Sequence, residues 1–405
     1  MRGASAGGRV GGLDRAPAAL RRGAWTLLLA NTLVMIGVGF FLPILPLFVG
    51  SRSGSALLVG AVFAAGLLAS AVAQYPAGAL ADRIGRRPVM VWSMGLYSVF
   101  FLLYLVPMPA WGLIGVRFVQ ALLGGAYVVA ATAMVADLSD PAQRGRAFGM
   151  LRSSDMAGLV LGPAVGGLVA SLRLDAVFAV GACACIGATA LLTLLPRIEA
   201  RVHAGPDAPR RPLAILRSLL PFVILGSSMG YTIGTYDTTW SLYLTRQGAT
   251  PAVVGLSFTL FALPMVLLGT AGGAWADRAG HWRVATVTAL LYGAFGAVYG
   301  FVTNVPALIV LSVVEGALIV AGNPALTALV SRSAPAGEQG RAQGMFRMGI
   351  TASQVLGALL GGALFGVSPA LAFLAIGVAS VLAVAGSRLV QPGAEARSSA
   401  VSAQP

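Results

Sequence analysis

The chain has 405 residues, of which 57% are hydrophobic and only 10% are charged. Soluble domains average about 25% charged residues, so the composition excludes an ordinary soluble protein and points to one that lives in a bilayer. The net charge of +14 comes wholly from arginine, because no lysine occurs.

About 20 apolar residues in a helix cross a membrane, and blocks of that length recur along the chain. Twelve are expected, at 24–49, 56–80, 89–107, 111–136, 146–171, 175–195, 214–244, 251–276, 284–303, 306–330, 341–366 and 370–390. The tail 1–23 ends in Arg21 and Arg22 and resembles a secretory leader. The block after it is too long for a leader's apolar region and eleven more follow, so it reads as a retained helix. Scattered Gly and Pro suit helices packed in lipid. The expected class is all-α integral membrane, with twelve transmembrane helices.

Arginine placement gives the orientation. With the N-terminus inside, 21 arginines fall in inner loops and tails, and only Arg52, Arg173 and Arg246 fall outside. Positive charge is retained on the cytoplasmic side, so both termini are expected there. The net charge is thus a topology signal, and nucleic acid is not an expected partner. Cys183 and Cys185, two apart in the sixth block, point to different helix faces and read as packing residues.

The chain repeats itself. "GALADRIG" at 78–85 returns as "GAWADRAG" at 273–280, and "GRAFGMLR" at 145–152 as "GRAQGMFR" at 340–347, both at an offset of 195. Two six-helix units of the same orientation follow: 24–195 and 214–391, with a cytoplasmic linker at 196–213 and a C-terminal tail at 392–405. Parallel halves of this kind place a site between them.

Between the second and third blocks stand Gly78, Asp82, Arg83, Gly85, Arg86 and Arg87. Asp82 sits at a helix C-terminus, where the helix dipole repels a carboxylate by about 0.3–1 kcal/mol. It needs a guanidinium or the N-terminus of another helix. The stretch reads as a latch that docks on the other half when the inner side closes, repeated at Asp277, Arg278 and Gly280. Simple topology accounts for the arginines, but not for the acid, the glycines or their return.

G-x-L-A-D-R-x-G-R-R in this position resembles the signature loop of the major facilitator superfamily, and the resemblance covers nearly the whole chain. In the second copy His281 and Trp282 replace Arg86 and Arg87, implying a weaker latch. The resemblance also implies that Asp137 pairs with the loop arginines, although its repeat counterpart is Arg332. Gly37, Pro43 and Pro46 resemble the first-span pattern of the twelve-span drug:proton antiporters. Gly158, Gly162, Pro163, Gly166 and Gly167 match their fifth-span pattern. Gly162, Gly166 and Gly167 recur as Gly357, Gly361 and Gly362, whereas Pro163 becomes Ala358. Ordinary close packing of small residues is the alternative for any one glycine. What the resemblance implies is export of small molecules by antiport, with the proton as coupling ion and no other cofactor.

Ionisable residues inside spans cost about 2.5–3.5 kcal/mol or more, so each needs a reason. Arg117 begins R-F-V-Q, which resembles a fourth-span motif linked to proton transfer. Asp155 lies near mid-membrane with Arg152 one turn away, and Glu315 occupies the repeat position of Gln120. Asp155 and Glu315 are the candidate proton carriers; a static ion pair with Arg152 and a carboxyl bonded to a neighbouring helix are the respective alternatives. Asp237 is expected near the outer end of its span. It joins Tyr127, Tyr231, Tyr236 and Trp240 as candidates for a substrate cavity, although each aromatic also suits packing or an interfacial belt.

No enzyme signal is present. Without lysine there is no Walker phosphate loop, and His203 and His281 have no metal-site spacing. Expected partners are a small-molecule substrate and the lipid bilayer, with function as a monomer in the cell membrane. An importer of a polar nutrient would need more Asn, Gln and charge in its spans than occur here. A transport-inactive sensor or scaffold shares the same fold.

Overall fold

The computed structural model describes residues 18–140, 143–196, 212–334 and 338–390. The expected linker and both tails fall mostly outside these residues. All twelve apolar blocks fall on helices, and the described residues form fourteen. The first half contains α1 (Ala18–Phe41), α2 (Leu45–Ser53), α3 (Ala56–Ile84), α4 (Arg86–Leu103), α5 (Gly112–Leu138), α6 (Arg144–Leu172) and α7 (Ala176–Leu192). The second contains α8 (Pro212–Arg246), α9 (Pro251–Ala279), α10 (His281–Tyr299), α11 (Val305–Ile319), α12 (Gly322–Ser333), α13 (Gln339–Val367) and α14 (Pro369–Leu389). Eight segments are long and apolar enough to cross a membrane by length and composition, and the apolar α7 is shorter.

Two blocks expected as single helices are broken. The first stops at Phe41 and restarts at Leu45, because Pro43 and Pro46 withdraw backbone donors from the ladder. The tenth is interrupted between Ile319 and Gly322. Pro163, by contrast, leaves α6 continuous.

The repeat extends to the caps and turns. Ser55 caps α3 by accepting from the Leu58 N–H, and Thr250, 195 residues on, caps α9 through the Val253 N–H. Gly85 (φ 92°) and Gly280 (φ 89°) make the turns into α4 and α10 with a positive φ that side-chain-bearing residues avoid.

The halves meet along two seams, α3 with α13 and α6 with α9. Hydrocarbon gives helices no hydrophobic reason to associate, so close backbone approach has to supply the contact. A Cβ on Gly60 would strike the Ala358 carbonyl oxygen, and one on Gly255 would strike that of Pro163. A Cβ on Gly362 would lie 2.5 Å from the Ala56 oxygen, and one on Gly167 the same 2.5 Å from the Pro251 oxygen. Every one of these residues is the 195-offset counterpart of one in the other seam. Both seams lie toward the arginine-poor face. At the opposite ends of the same helices, Gly145, Gly149, Gly273, Gly340 and Gly344 have open space around them. The molecule is therefore closed on the arginine-poor face and parted on the arginine-rich one.

Overpacking a tight contact costs about 1–3 kcal/mol, a population shift of roughly five- to a hundred-fold. Gly60→Leu should accordingly weaken the closed state and, through the rigid half, open the second seam. With Cys183 and Cys185 replaced by serine and one cysteine placed at Ala252, a membrane-impermeant maleimide should label Gly60→Leu several-fold faster than the parent. Equal rates would show that the seams open independently or not at all.

Candidate functional site

On the arginine-rich face, Arg86 is buried at the start of α4 and stands between two acids. Its Nη1 lies 2.7 Å from Asp82 and its Nε 3.2 Å from Asp137, at the end of α5. Nη1 also donates to the Ala81 carbonyl at 2.8 Å, satisfying the end of α3. Arg83 is exposed, Gly78 faces Val129 of the same half, and Arg87 donates to the Thr193 carbonyl after α7. In the second copy His281 replaces Arg86 and its Nε2 lies 3.0 Å from Asp277. Arg278 and Arg332 are exposed there. The acid expected to dock on the opposite half is held within its own half in this conformation, because the halves are parted on this face.

Deeper in the first half, Asn31 of α1 links three helices. Its amide donates to Ser154 Oγ at 2.7 Å and to Asp155 Oδ1 at 2.8 Å on α6, and its oxygen accepts from the Tyr127 hydroxyl of α5 at 3.1 Å. Asp155 Oδ2 lies 3.5 Å from Arg152, whose side chain is 69% exposed. Asp155 thus sits between a fixed neutral donor and a solvated cation. At 1.5 Å per residue it lies about 17 Å along α6 from the arginine-rich end.

Arg117 lies over the Phe41 ring at 4.8 Å and bonds Gln120 Oε1 at 3.3 Å, which also accepts from Tyr104 at 3.2 Å. The Arg117 side chain lies against Gly66, where any Cβ would displace it. In the second half the same positions read Ser312, Glu315 and Tyr299. Glu315, 1% exposed, accepts from Tyr299 at 2.7 Å and from Tyr236 at 3.2 Å. The repeat has kept the tyrosine hydroxyl and exchanged what it bonds: a neutral amide beside a cation in one half, a carboxylate in the other.

A cavity of about 370 Å³ lies between the halves, lined mostly by the second. Tyr236, Asp237 and Trp240 line it from α8, Phe258 and Phe261 from α9, Tyr292 and Tyr299 from α10, and Glu315 from α11. The first half contributes Gly39, Leu42 and Pro43 near the α1 break, with Leu159 and Pro163 from α6. Trp240 is fixed by a 3.1 Å bond from its indole N–H to Ser257 Oγ. The expectation that Asp237 lies at the span's outer end is corrected. Helix α8 runs on to Arg246, so Asp237 lies nine residues from the end, about 14 Å inside, at the cavity wall.

Of the other expected cavity residues, Tyr127 lines a separate space of about 230 Å³ with Arg117, and Tyr231 lines neither cavity. Gly158, Gly162 and Gly166 pack on α1, and Gly167 and the Pro163 carbonyl of that motif reach the other half. Gly37 packs against α7, and Pro46 is buried at the start of α2. Sequence reading missed Asn31, Tyr104, Tyr292 and Tyr299. The return of Tyr104 as Tyr299 at the repeat offset was the available signal for two of them.

Two helical halves around a central cavity, closed on one face and parted on the other, define a membrane transporter. The chain belongs to the major facilitator superfamily, whose family model matches residues 27–241 and again 222–404. It is 26% identical over 382 residues to multidrug resistance protein 2 of Bacillus subtilis, covering 88% of this chain and 92% of that one. It is 27% identical over 361 residues to the class C tetracycline resistance protein of Escherichia coli, covering 83% and 88%. Among solved structures, the nucleoside transporter NupG matches with a TM-score of 0.78 at 14% identity, covering 91% of this chain and 98% of that one. At that identity the likeness shows the fold alone.

Arg86 is buried while Asp82 and Asp137 are 41% and 21% exposed, so removing it costs its charge-assisted hydrogen bonds, about 1–3 kcal/mol. Replacing an exposed arginine changes stability by no more than about 0.5 kcal/mol. Arg86→Gln should therefore lower the melting temperature of the purified protein by several degrees, and Arg83→Gln should leave it unchanged. Equal melting curves would remove Arg86 from the structural core of the loop.

Proposed function

We propose that the chain exports lipophilic small molecules in exchange for protons, by alternating access at the cavity between its halves. The observation that carries this reading is the cavity itself. Its wall is aromatic, and a carboxyl group, Glu315, is held in that wall by two tyrosine hydroxyls with no basic side chain among the lining residues. An aromatic wall suits flat apolar molecules. The likeness to multidrug and tetracycline resistance proteins supports the same reading. On it, both termini lie in the cytoplasm, the parted face opens inward to load substrate, and the protein works as a monomer in the cell membrane.

Asp155 and Glu315 are proposed as the proton carriers. Asp155 has Arg152 within reach and Glu315 has no cation in contact among the described residues. A carrier must release as well as bind, and movement relative to Arg152 or Arg117 would switch it. Pro163, whose carbonyl abuts Gly255 across the seam, ties the antiporter-like motif to closure of the outer face.

In everted vesicles carrying a pH-sensitive dye, adding substrate should collapse the proton gradient. A sensor or scaffold would leave the gradient intact. Asp155→Asn should abolish accumulation driven by a pH gradient while the purified protein still binds substrate. If this variant still concentrates substrate, Asp155 is not the carrier. Glu315→Gln should be milder for neutral substrates and more severe for cationic ones, since for those the lost charge also faces the ligand.

A further inference from the structure

The hydrogen bonds around Asn31 have no equivalent in the second half. At the offset of 195, Asn31, Tyr127, Ser154 and Asp155 become Gly226, Gly322, Gly349 and Ile350. There Phe346 and Ile350 pack against Gly226, and Val223 packs against Gly349. The same architecture therefore forms without these four polar residues, and burying polar groups carries a cost. Their presence in one half alone points to work other than folding.

Three bonds fix the Asn31 amide, which is 2% exposed. The Tyr127 hydroxyl donates to its oxygen at 3.1 Å, which turns the amide nitrogen toward α6. That nitrogen donates to Ser154 Oγ at 2.7 Å and to Asp155 Oδ1 at 2.8 Å. Both amide hydrogens are then in use. Turned over, the amide would set its oxygen against the carboxylate, acceptor against acceptor. Oδ1 is thus held on a buried donor, while Oδ2 lies 3.5 Å from Arg152 Nη1. The Arg152 side chain is 69% exposed and that of Asp155 20%. An arginine within a span faces water or a partner, so this is the side that meets the parted opening.

We infer that Asn31 is a positioning residue for proton exchange. With Tyr127 behind it, it holds Asp155 so that Oδ2 alone takes up and releases the proton, on the side of the opening. Uptake forms an O–H bond at Oδ2 and ends its contact with Arg152, and release restores that contact. Oδ1 accepts from Asn31 in both states, since the carbonyl oxygen of a neutral acid is still an acceptor. The carboxyl group therefore keeps its place through the cycle. This inference rests on Asp155 as the proton carrier.

Few other charges bear on the site. Helix α6 contributes Arg152, and α5 contributes the Tyr127 hydroxyl. The charges of α5, Arg117 and Asp137, lie ten residues to either side of Tyr127, about 15 Å along the helix. Those of α1 (Arg21 and Arg22) and of α9 (Asp277 and Arg278) sit at the arginine-rich ends, and α7 has none.

The test uses the full chain in everted vesicles with a lipophilic dye as probe. Dye counterflow needs no net proton movement and reports the ligand path, whereas accumulation driven by a pH gradient reports the carrier. Asn31→Leu should keep the KM for the dye and hold counterflow within about twofold, yet cut accumulation about tenfold, the scale of one hydrogen bond to a charged group. The pH at half-maximal dye-dependent proton flux should move by about threefold or more in proton concentration. A loss of folded protein would instead lower the plateau equally at every pH. Asn31→Gln, which keeps the amide on a longer stem, should recover part of the accumulation. Tyr127→Phe keeps the ring and removes only the bond that turns the amide. It should move the half-maximal pH the same way by a smaller amount.

An unmoved half-maximal pH in either variant overturns the inference, and if Asn31→Leu does not fold, Tyr127→Phe decides alone. A parallel loss of counterflow and accumulation in Asn31→Leu overturns it too, because Asn31 would then serve the ligand path. Asp155→Asn separates these outcomes from the carrier reading. If that variant still concentrates the dye, the carrier assignment fails and this inference falls with it. If it abolishes accumulation while Asn31→Leu leaves the half-maximal pH unmoved, Asp155 stands as the carrier and only the role of Asn31 falls.

Discussion

Close approach of backbone to backbone is the interaction on which this molecule depends. Lipid tails are as apolar as leucine, so burying apolar side chains gives helices in a bilayer little reason to choose one neighbour over another. Dispersion contacts decide instead, and they weaken steeply with distance. The glycines at 60, 167, 255 and 362 bring the halves to carbonyl contact on one face. Within each half, Gly39 against Gly158 and Gly234 against Gln354 do the same between neighbouring helices. Where these glycines run out, the helices part and the cavity begins.

The second constraint is the cost of charge away from water, and each half meets it differently. At the arginine-rich face a single guanidinium serves two carboxylates, and in the second copy a histidine takes its place beside one. Inside the membrane the first half uses amides and an aromatic face to hold its cation, while the second uses tyrosine hydroxyls to hold its acid. The repeat has kept the architecture and let the chemistry diverge, so binding groups concentrate in one half and the Asn31 network in the other.

Much of this was legible in the residues. The all-helical membrane class, the two-copy plan and the loop with Asp82 all follow from hydropathy and from matches at one offset, because both signals are local and recur. What was not legible depends on packing between segments. The depth of Asp237 could not be read because an apolar run does not reveal which of its side chains meets an interior cavity, and the run at 214–244 ends only two residues short of α8. Asn31 gave no local signal, since one amide in a greasy block looks like any tolerated polar residue until Ser154, Asp155 and Tyr127 are brought against it. The broken first span was misjudged for the opposite reason. The sequence contains Pro43 and Pro46 in plain view, but composition averaged over a block conceals where the ladder stops.

The two glycine seams have one further property. They are built from carbonyls, α-carbons and small side chains, and nothing in them binds or releases a proton. Among the described residues, these seam contacts therefore hold no group of their own that senses acidity. A change of acidity acts on the interior acids Asp155 and Glu315 and on surface pairs such as Arg173 with Asp175, and leaves the glycine contacts themselves without a group to titrate.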